Sequence, residues 1–184
     1  MMRSFFLSLV TTLFFCSNPF YGSAQCTGLD VDNDGIPDCE DYNILYTLEV
    51  ANENTISLFA VVQEAPSGAT IQFEVGTYSN QGFTSTQWGD SFDCKGLKFK
   101  GALDENGFVA TTFTTSYEYG FYIADFYESH DCDGGLVFES IIFDSFPLIF
   151  GNHPVTIRNC GLWNVQTNSI YGSNFNSAIT ILHS

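Results

Sequence analysis

Beyond residue 68 the apolar positions come in short bursts rather than long stripes. The runs "ATIQFEV" (69–75), "GLKFKGA" (96–102), "GFYIADF" (120–126), "GLVFESIIF" (135–143), "PVTIRNCGLW" (154–163) and "SAITIL" (177–182) alternate inward and outward side chains. Clusters of Gly, Asn, Ser and Asp separate them, and this pattern predicts strands joined by turns. Their spacing, mostly in the high teens to mid twenties, suits one coil of a repeat architecture better than two-residue hairpins. Only Asn106-Gly107 carries a local hairpin signal. One stretch has helical periodicity. In "NTISLFAVVQEAP", Ile56, Phe59, Ala60 and Gln63 share one side, and Leu58, Val61, Val62 and Ala65 share another. Asn54 or Thr55 is the expected cap and Pro66 the expected stop.

The first 24 residues follow a different logic. Arg3 is their only charge, "FFLSLVTTLFF" has the length of a signal-peptide core, and "YGSA" offers small residues before a cleavage point near Gln25. A spanning helix needs about 20 apolar residues, and Ser17, Asn18 and Pro19 interrupt first. Gln25 also stands where a lipoprotein box would place a small residue before Cys26. The expectation is soluble secretion, to the extracellular space or cell surface, with no transmembrane segment after cleavage.

Charge sharpens this picture. The chain carries 21 acidic and 5 basic residues, and losing Arg3 with the signal moves the net charge from −16 to −17. Such a chain repels nucleic acid and anionic lipid and attracts metal ions. Lys95, Lys98 and Lys100 cluster, and Arg158 stands apart. Without Cys16, five cysteines remain. Cys26 and Cys39 bracket the acidic stretch, and closing that loop contributes about 3 kcal/mol in the chain-entropy model. Cys94 and Cys132 follow Asp in similar settings, as candidate neighbours, which leaves Cys160 a buried free thiol or a residue lacking a partner.

The acidic stretch is "LDVDNDGIPDCEDYN", residues 29–43. Counting Asp30 as position 1, Asp32 is 3, Asp34 is 5, Gly35 is 6, Ile36 is 7, Asp38 is 9 and Asp41 is 12. This is the ligand spacing of a calcium loop: a hard cation takes six to eight oxygens, alternate side chains of a tight loop point inward, and glycine permits the sharp turn. Ile36 would supply its backbone carbonyl, and Glu40, between ligand positions, is expected to face water. The flanks "CTG" and "YNILYTLEV" do not read as EF-hand helices. A dockerin-like loop would need a second loop and following helices. The combination D-x-D-x-D-G-I-P-D-C-x-D over about 28–42 resembles the thrombospondin type 3 repeat, in a single copy. That resemblance implies calcium in a structural role, at the affinities of about 10⁻⁴ to 10⁻³ M typical of extracellular modules.

Residues 54–184 also resemble a family. "AVVQEAPSGATIQFEVGTYSNQ" is similar to the start of pectate-lyase-like right-handed parallel β-helices, where a capping helix leads to a turn, a first strand and a Gly-Thr-Tyr corner. "VTIRNCGLWN" resembles one coil, with Asn159 and Asn164 at stacked turns. The implied organisation is a signal peptide (1–24), a calcium-binding loop module (25–44) and an all-β, single-stranded β-helix domain (45–184) with an N-terminal capping helix. "SAITILHS" ends in a strand pattern without a polar cap, so the domain is expected to be incomplete. A β-sandwich is the alternative. In a β-helix, Phe73, Phe99 and Phe138 would stack inside, since neighbouring strands lie about 4.8 Å apart.

Catalytic residues are not identified. Lyases of this fold use an arginine or lysine base, for which Arg158, Lys95, Lys98 and Lys100 are the candidates. Hydrolases need convergent carboxylates, and Asp125, Glu128, Asp131, Asp133 and Asp144 are available, with His130 nearby. His130 and His153 lack metal-ligand spacing. Outward Trp88, Tyr117, Tyr119 or Trp163 could serve as a platform for sugars. The leading expectation is a calcium-binding β-helix protein with a structural, adhesion or glycan-binding role, its partners an extracellular glycan or surface protein. The alternative is a polysaccharide lyase or glycoside hydrolase.

Overall fold

The computed structural model describes residues 26–53, 56–81, 83–84, 96–115, 119–123, 135–146, 148–150, 155–164 and 179–182. In chain order these form β1 (Asn43–Tyr46), α1 (Leu48–Glu53), α2 (Leu58–Glu64), β2 (Thr70–Phe73), β3 (Gly76–Ser79), β4 (Phe83–Thr84) and β5 (Lys98–Lys100). There follow β6 (Thr111–Thr114), β7 (Tyr119–Ile123), β8 (Leu136–Glu139), β9 (Ile142–Asp144), β10 (Leu148–Phe150), β11 (Val155–Arg158), β12 (Gly161–Trp163) and β13 (Ile179–Leu182). The protein is mostly β, with few helices. No helix among the described residues is long and apolar enough to cross a membrane.

Two sheets are parallel throughout. The first runs β1-β2-β5-β8-β11-β13 and the second β3-β6-β9-β12. The chain alternates between them, as in β2 to β3, β5 to β6, β8 to β9 and β11 to β12. A third sheet, β10-β7-β4, pairs β7 parallel to β10 and antiparallel to β4. Of the apolar run at 120–126, residues 120–123 fall in β7 and so in this third sheet, and 124–126 lie outside the described residues.

Two apolar runs are each broken in the middle, the second at the turn expected for Asn159. Ser140 (φ 57°) divides 135–143 into β8 and β9, and Asn159 (φ 50°) divides 154–163 into β11 and β12. Asn80, Ser145 and Asn164 take the same left-handed conformation where the second sheet's strands end. Asn, and more rarely Ser, tolerates that region because its short polar side chain bonds locally. The corners themselves are bonded in register: Ser140 N–H donates to the Arg158 carbonyl, Ser145 N–H to that of Trp163, and Gly101 N–H to that of Glu139. Asn159 Nδ2 donates to Ser140 Oγ at 3.1 Å, so the expected asparagine stack is an Asn-on-Ser stack.

Inward side chains of the two parallel sheets meet in one core. Phe99 and Phe138 stack at 5.0 Å, and Phe73 lies 6.4 Å from Phe99, as expected from the spacing. Tyr78 and Phe113 stack at 5.3 Å in the second sheet. Across the core the rings meet by their edges, Phe73 on Phe113 at 5.0 Å and Phe138 on Phe143 at 5.7 Å. Both arrangements suit the aromatic quadrupole.

The helical stretch folds as α2, but Ser57 is the cap, its side chain accepting Ala60 N–H. Asn54 and Thr55 lie outside the described residues. Leu58, Val61, Val62 and Ala65, one of the two predicted sides, are fully buried. "YNILYTLEV" forms β1 and then turns helical, because α1 begins at Leu48. Six residues are too few for a 3.6-residue stripe to show in sequence. Asn106-Gly107 does close a small hairpin, with Leu103 bridged antiparallel to Val109.

Candidate metal-binding loop and the exposed sheet faces

The acidic loop is built by its own carboxylates. Asp30 accepts Asp34 N–H and Gly35 N–H, Asp32 accepts Asp34 N–H, and Asp34 accepts Ile36 N–H at 2.7 Å. These side chain to backbone bonds curl the chain tightly, with Asn33 (φ 57°) and Gly35 (φ 92°) in the left-handed region. The Cys26–Cys39 disulfide closes the base of the loop, with Cα atoms 5.6 Å apart.

Carboxylate oxygens of Asp30, Asp32 and Asp34 lie within 4.8 Å of one another, close enough to share one ion. Asp38 is fully buried beside them: Oδ1 accepts Val31 N–H at 3.0 Å, and Oδ2 has no hydrogen-bond partner. Burial, then the charges of Asp32, Asp30 and Asp41, push its carboxyl up to about 6 against the pull of Val31 N–H. Asp41 is also buried. Its Oδ1 accepts Asn43 N–H at 2.7 Å, and its Oδ2 has no partner. Glu40 is exposed, as expected, and so is Ile36. Among the described residues no lysine or arginine pairs with a loop carboxylate, since the ion pairs formed all involve Glu139.

The loop is tied into the fold at several points. Val31 belongs to the hydrophobic core, Asp32 Oδ2 accepts Leu45 N–H of β1 at 2.9 Å, and Thr27 N–H donates to Glu64 of α2.

A second cluster was only partly legible in the sequence. Strand register lines up Lys100, Glu139 and Arg158 on β5, β8 and β11, with Lys98 one pleat away. Lys98 Nζ lies 2.6 Å from Glu139 Oε2, and Arg158 Nη1 lies 3.8 Å from it. Lys98 first, with help from Arg158 and Lys100, holds the Glu139 carboxyl below its usual range. Arg158 is thus not isolated, and Glu139, the residue that joins it to the lysines, was missed. The alternation of "LVFES" turns Glu139 outward, but pairing between strands joined by unequal connections has no signature in a single sequence.

The outward face of the second sheet is different. Asp144 on β9 is the register neighbour of Trp163 on β12. Asp144 Oδ1 accepts Asn164 Nδ2–H at 2.9 Å and Ser145 Oγ–H at 3.2 Å. Trp163 is 60% exposed. Cys160 is a half-buried free thiol, raised by burial.

Lys95, Cys94, Cys132, Asp125, Glu128, His130, Asp131, Asp133, His153, Trp88 and Tyr117 lie outside the described residues, as does the side chain of Tyr119. The convergence of carboxylates considered for a hydrolase therefore has only Asp144 in view. No protein-family model, curated protein or solved structure matches this chain.

Proposed function

We propose that the chain is a secreted or surface-displayed calcium-binding β-helix protein with a structural or adhesive role outside the cell. One observation carries the metal reading. Asp38 Oδ2 and Asp41 Oδ2 are buried carboxylate oxygens without a hydrogen-bond partner, beside a triad of further carboxylates. A buried charge needs a partner of opposite sign, and no described lysine or arginine supplies one. A hard divalent cation fits an all-oxygen donor set. Asp30, Asp32, Asp34, Asp38, Asp41 and the Ile36 carbonyl would hold it, and the ion would neutralise and stiffen the loop.

The β-helix reading is supported by the wholly parallel pairing of two sheets that the chain visits alternately, with stacked corners and stacked rings. The sheets of a β-sandwich are antiparallel. Isothermal titration of the mature protein with calcium tests the metal: binding at submillimolar to millimolar calcium is expected, and Asp32→Ala with Asp34→Ala abolishes it. No heat of binding, or binding unchanged in the double variant, overturns the assignment.

The cluster of Lys98, Lys100, Arg158 and Glu139 favours a second reading, cleavage of an acidic polysaccharide on the first sheet's outer face. There the cations would hold sugar carboxylates. Incubation with polyuronides, following unsaturated products and new reducing ends, decides it: product that disappears in Arg158→Ala supports cleavage, and none from the wild type excludes it for those substrates.

A further inference from the structure

The geometry points to a second binding surface, the outward face of the second parallel sheet around Trp163, which takes a neutral polysaccharide. Trp163 lies on β12 with 60% of its surface exposed, an unusual place for so large an apolar ring. Its Nε1 edge lies beside Gly161, which has no side chain to cover it; an added Cβ there would make an ordinary van der Waals contact with Nε1 at 3.5 Å. Among the described residues nothing accepts that N–H.

Beside the ring stands a fixed polar pair. Asn164 Nδ2–H donates to Asp144 Oδ1, which leaves Asp144 Oδ2 and Asn164 Oδ1 as acceptors that no described residue engages. Register continues the line from Trp163 and Asp144 to Thr114 and Ser79, one hydroxyl per strand. Three strand spacings make this line about 14 Å long, room for a short run of hexose rings.

Each component matches one part of a sugar. A flat indole face suits the axial C–H face of a pyranose, and its N–H, the carboxylate, the amide and the hydroxyls suit vicinal O–H groups. Charge selects the ligand class. The line holds one carboxylate and no cation, on a chain whose net charge is −16, so an acidic polymer is repelled here and an uncharged one is not. The surface goes beyond the calcium reading and uses none of the loop's residues.

Native affinity electrophoresis of the full mature chain tests this, in gels containing β-glucan, xylan, galactan or mannan, with polygalacturonate as the acidic arm. At least one neutral polymer is expected to retard the protein. Trp163→Ala should raise the apparent Kd at least tenfold, Trp163→Phe should restore part of the binding, and Asp32→Ala with Asp34→Ala should leave it in place. Circular dichroism and thermal melts establish that each variant folds. Three results overturn the proposal: no retardation by any neutral polymer, retardation unchanged in folded Trp163→Ala, or a wild-type dimer that Trp163→Ala converts to monomer, which would make this face a contact between copies. Calcium titration of Trp163→Ala should match the wild type, so failure here and failure of the metal assignment are distinguishable.

Discussion

A carboxylate removed from water must find a cation or a proton, and Asp38 sits fully buried with one oxygen on Val31 N–H and the other unmatched. Asn at this position keeps the acceptor for Val31 and removes the charge. Asp38→Asn is therefore expected to leave the calcium-free protein unchanged or more stable by up to about 1 kcal/mol, while weakening calcium binding at least tenfold. Urea unfolding with and without calcium reads both effects, and equal destabilisation in both conditions would refute the role given to Asp38. At this scale the sequence was informative wherever spacing is local. Asp30, Asp32 and Asp34 lie two apart in the chain, and the structure brings their oxygens together. That Asp38 and Asp41 would be buried was not legible, because their burial depends on how the loop settles against Val31 and β1.

At the scale of elements, strands were legible and their ends only in part: Asn159 and Asn164 stand at turns, as expected, whereas Ser140 gave no such signal. Ser140 follows outward Glu139 as Asn159 follows outward Arg158, so unbroken alternation would turn both inward; instead each takes a positive φ and turns the chain into the next sheet. A small polar residue at an inward position can be a corner or a buried hydrogen-bonded side chain, and alternation alone does not separate the two. The corner between β5 and β6 is instead set by Gly101. A Cβ there would overlap the Ser140 carbonyl oxygen and stand 2.9 Å from Thr111 Cβ, so only glycine fits beneath the next corner. Gly101→Ala should lose at least about 2 kcal/mol, seen as a lower denaturation midpoint at unchanged m-value. Stability within a few tenths of wild type would mean that the corner relaxes.

For the whole molecule, the loop and the sheets share one core through Val31, so the proposed metal binding is expected to be linked to folding. Free calcium at about ten times the loop's Kd is expected to stabilise the native state by about 1.4 kcal/mol, a rise in Tm of about 3–5 °C for a domain of this size. Differential scanning calorimetry with calcium and with chelator checks this. A Tm insensitive to calcium, in a protein that binds it, would mean that the loop opens independently of the sheets. Composition and periodicity revealed a β protein of stacked strands. They could not reveal its third sheet, since β7 alternates like its neighbours and only its pairing with β10 and β4 sets it apart.

The bonds from Asp32 to Leu45 N–H and from Asp41 to Asn43 N–H have a consequence for solubility. β1 is the first strand of the six-stranded sheet, paired on one side with β2. An open strand edge is a template on which another chain can add. Here the two N–H groups of β1 that would receive such a strand already donate to carboxylates, and an incoming carbonyl would also meet negative charge. The acidic loop thus closes the sheet against strand addition. Asp32 divides its oxygens between this strand and Asp34 N–H, and Asp41 gives one oxygen to the strand while the other has no hydrogen-bond partner.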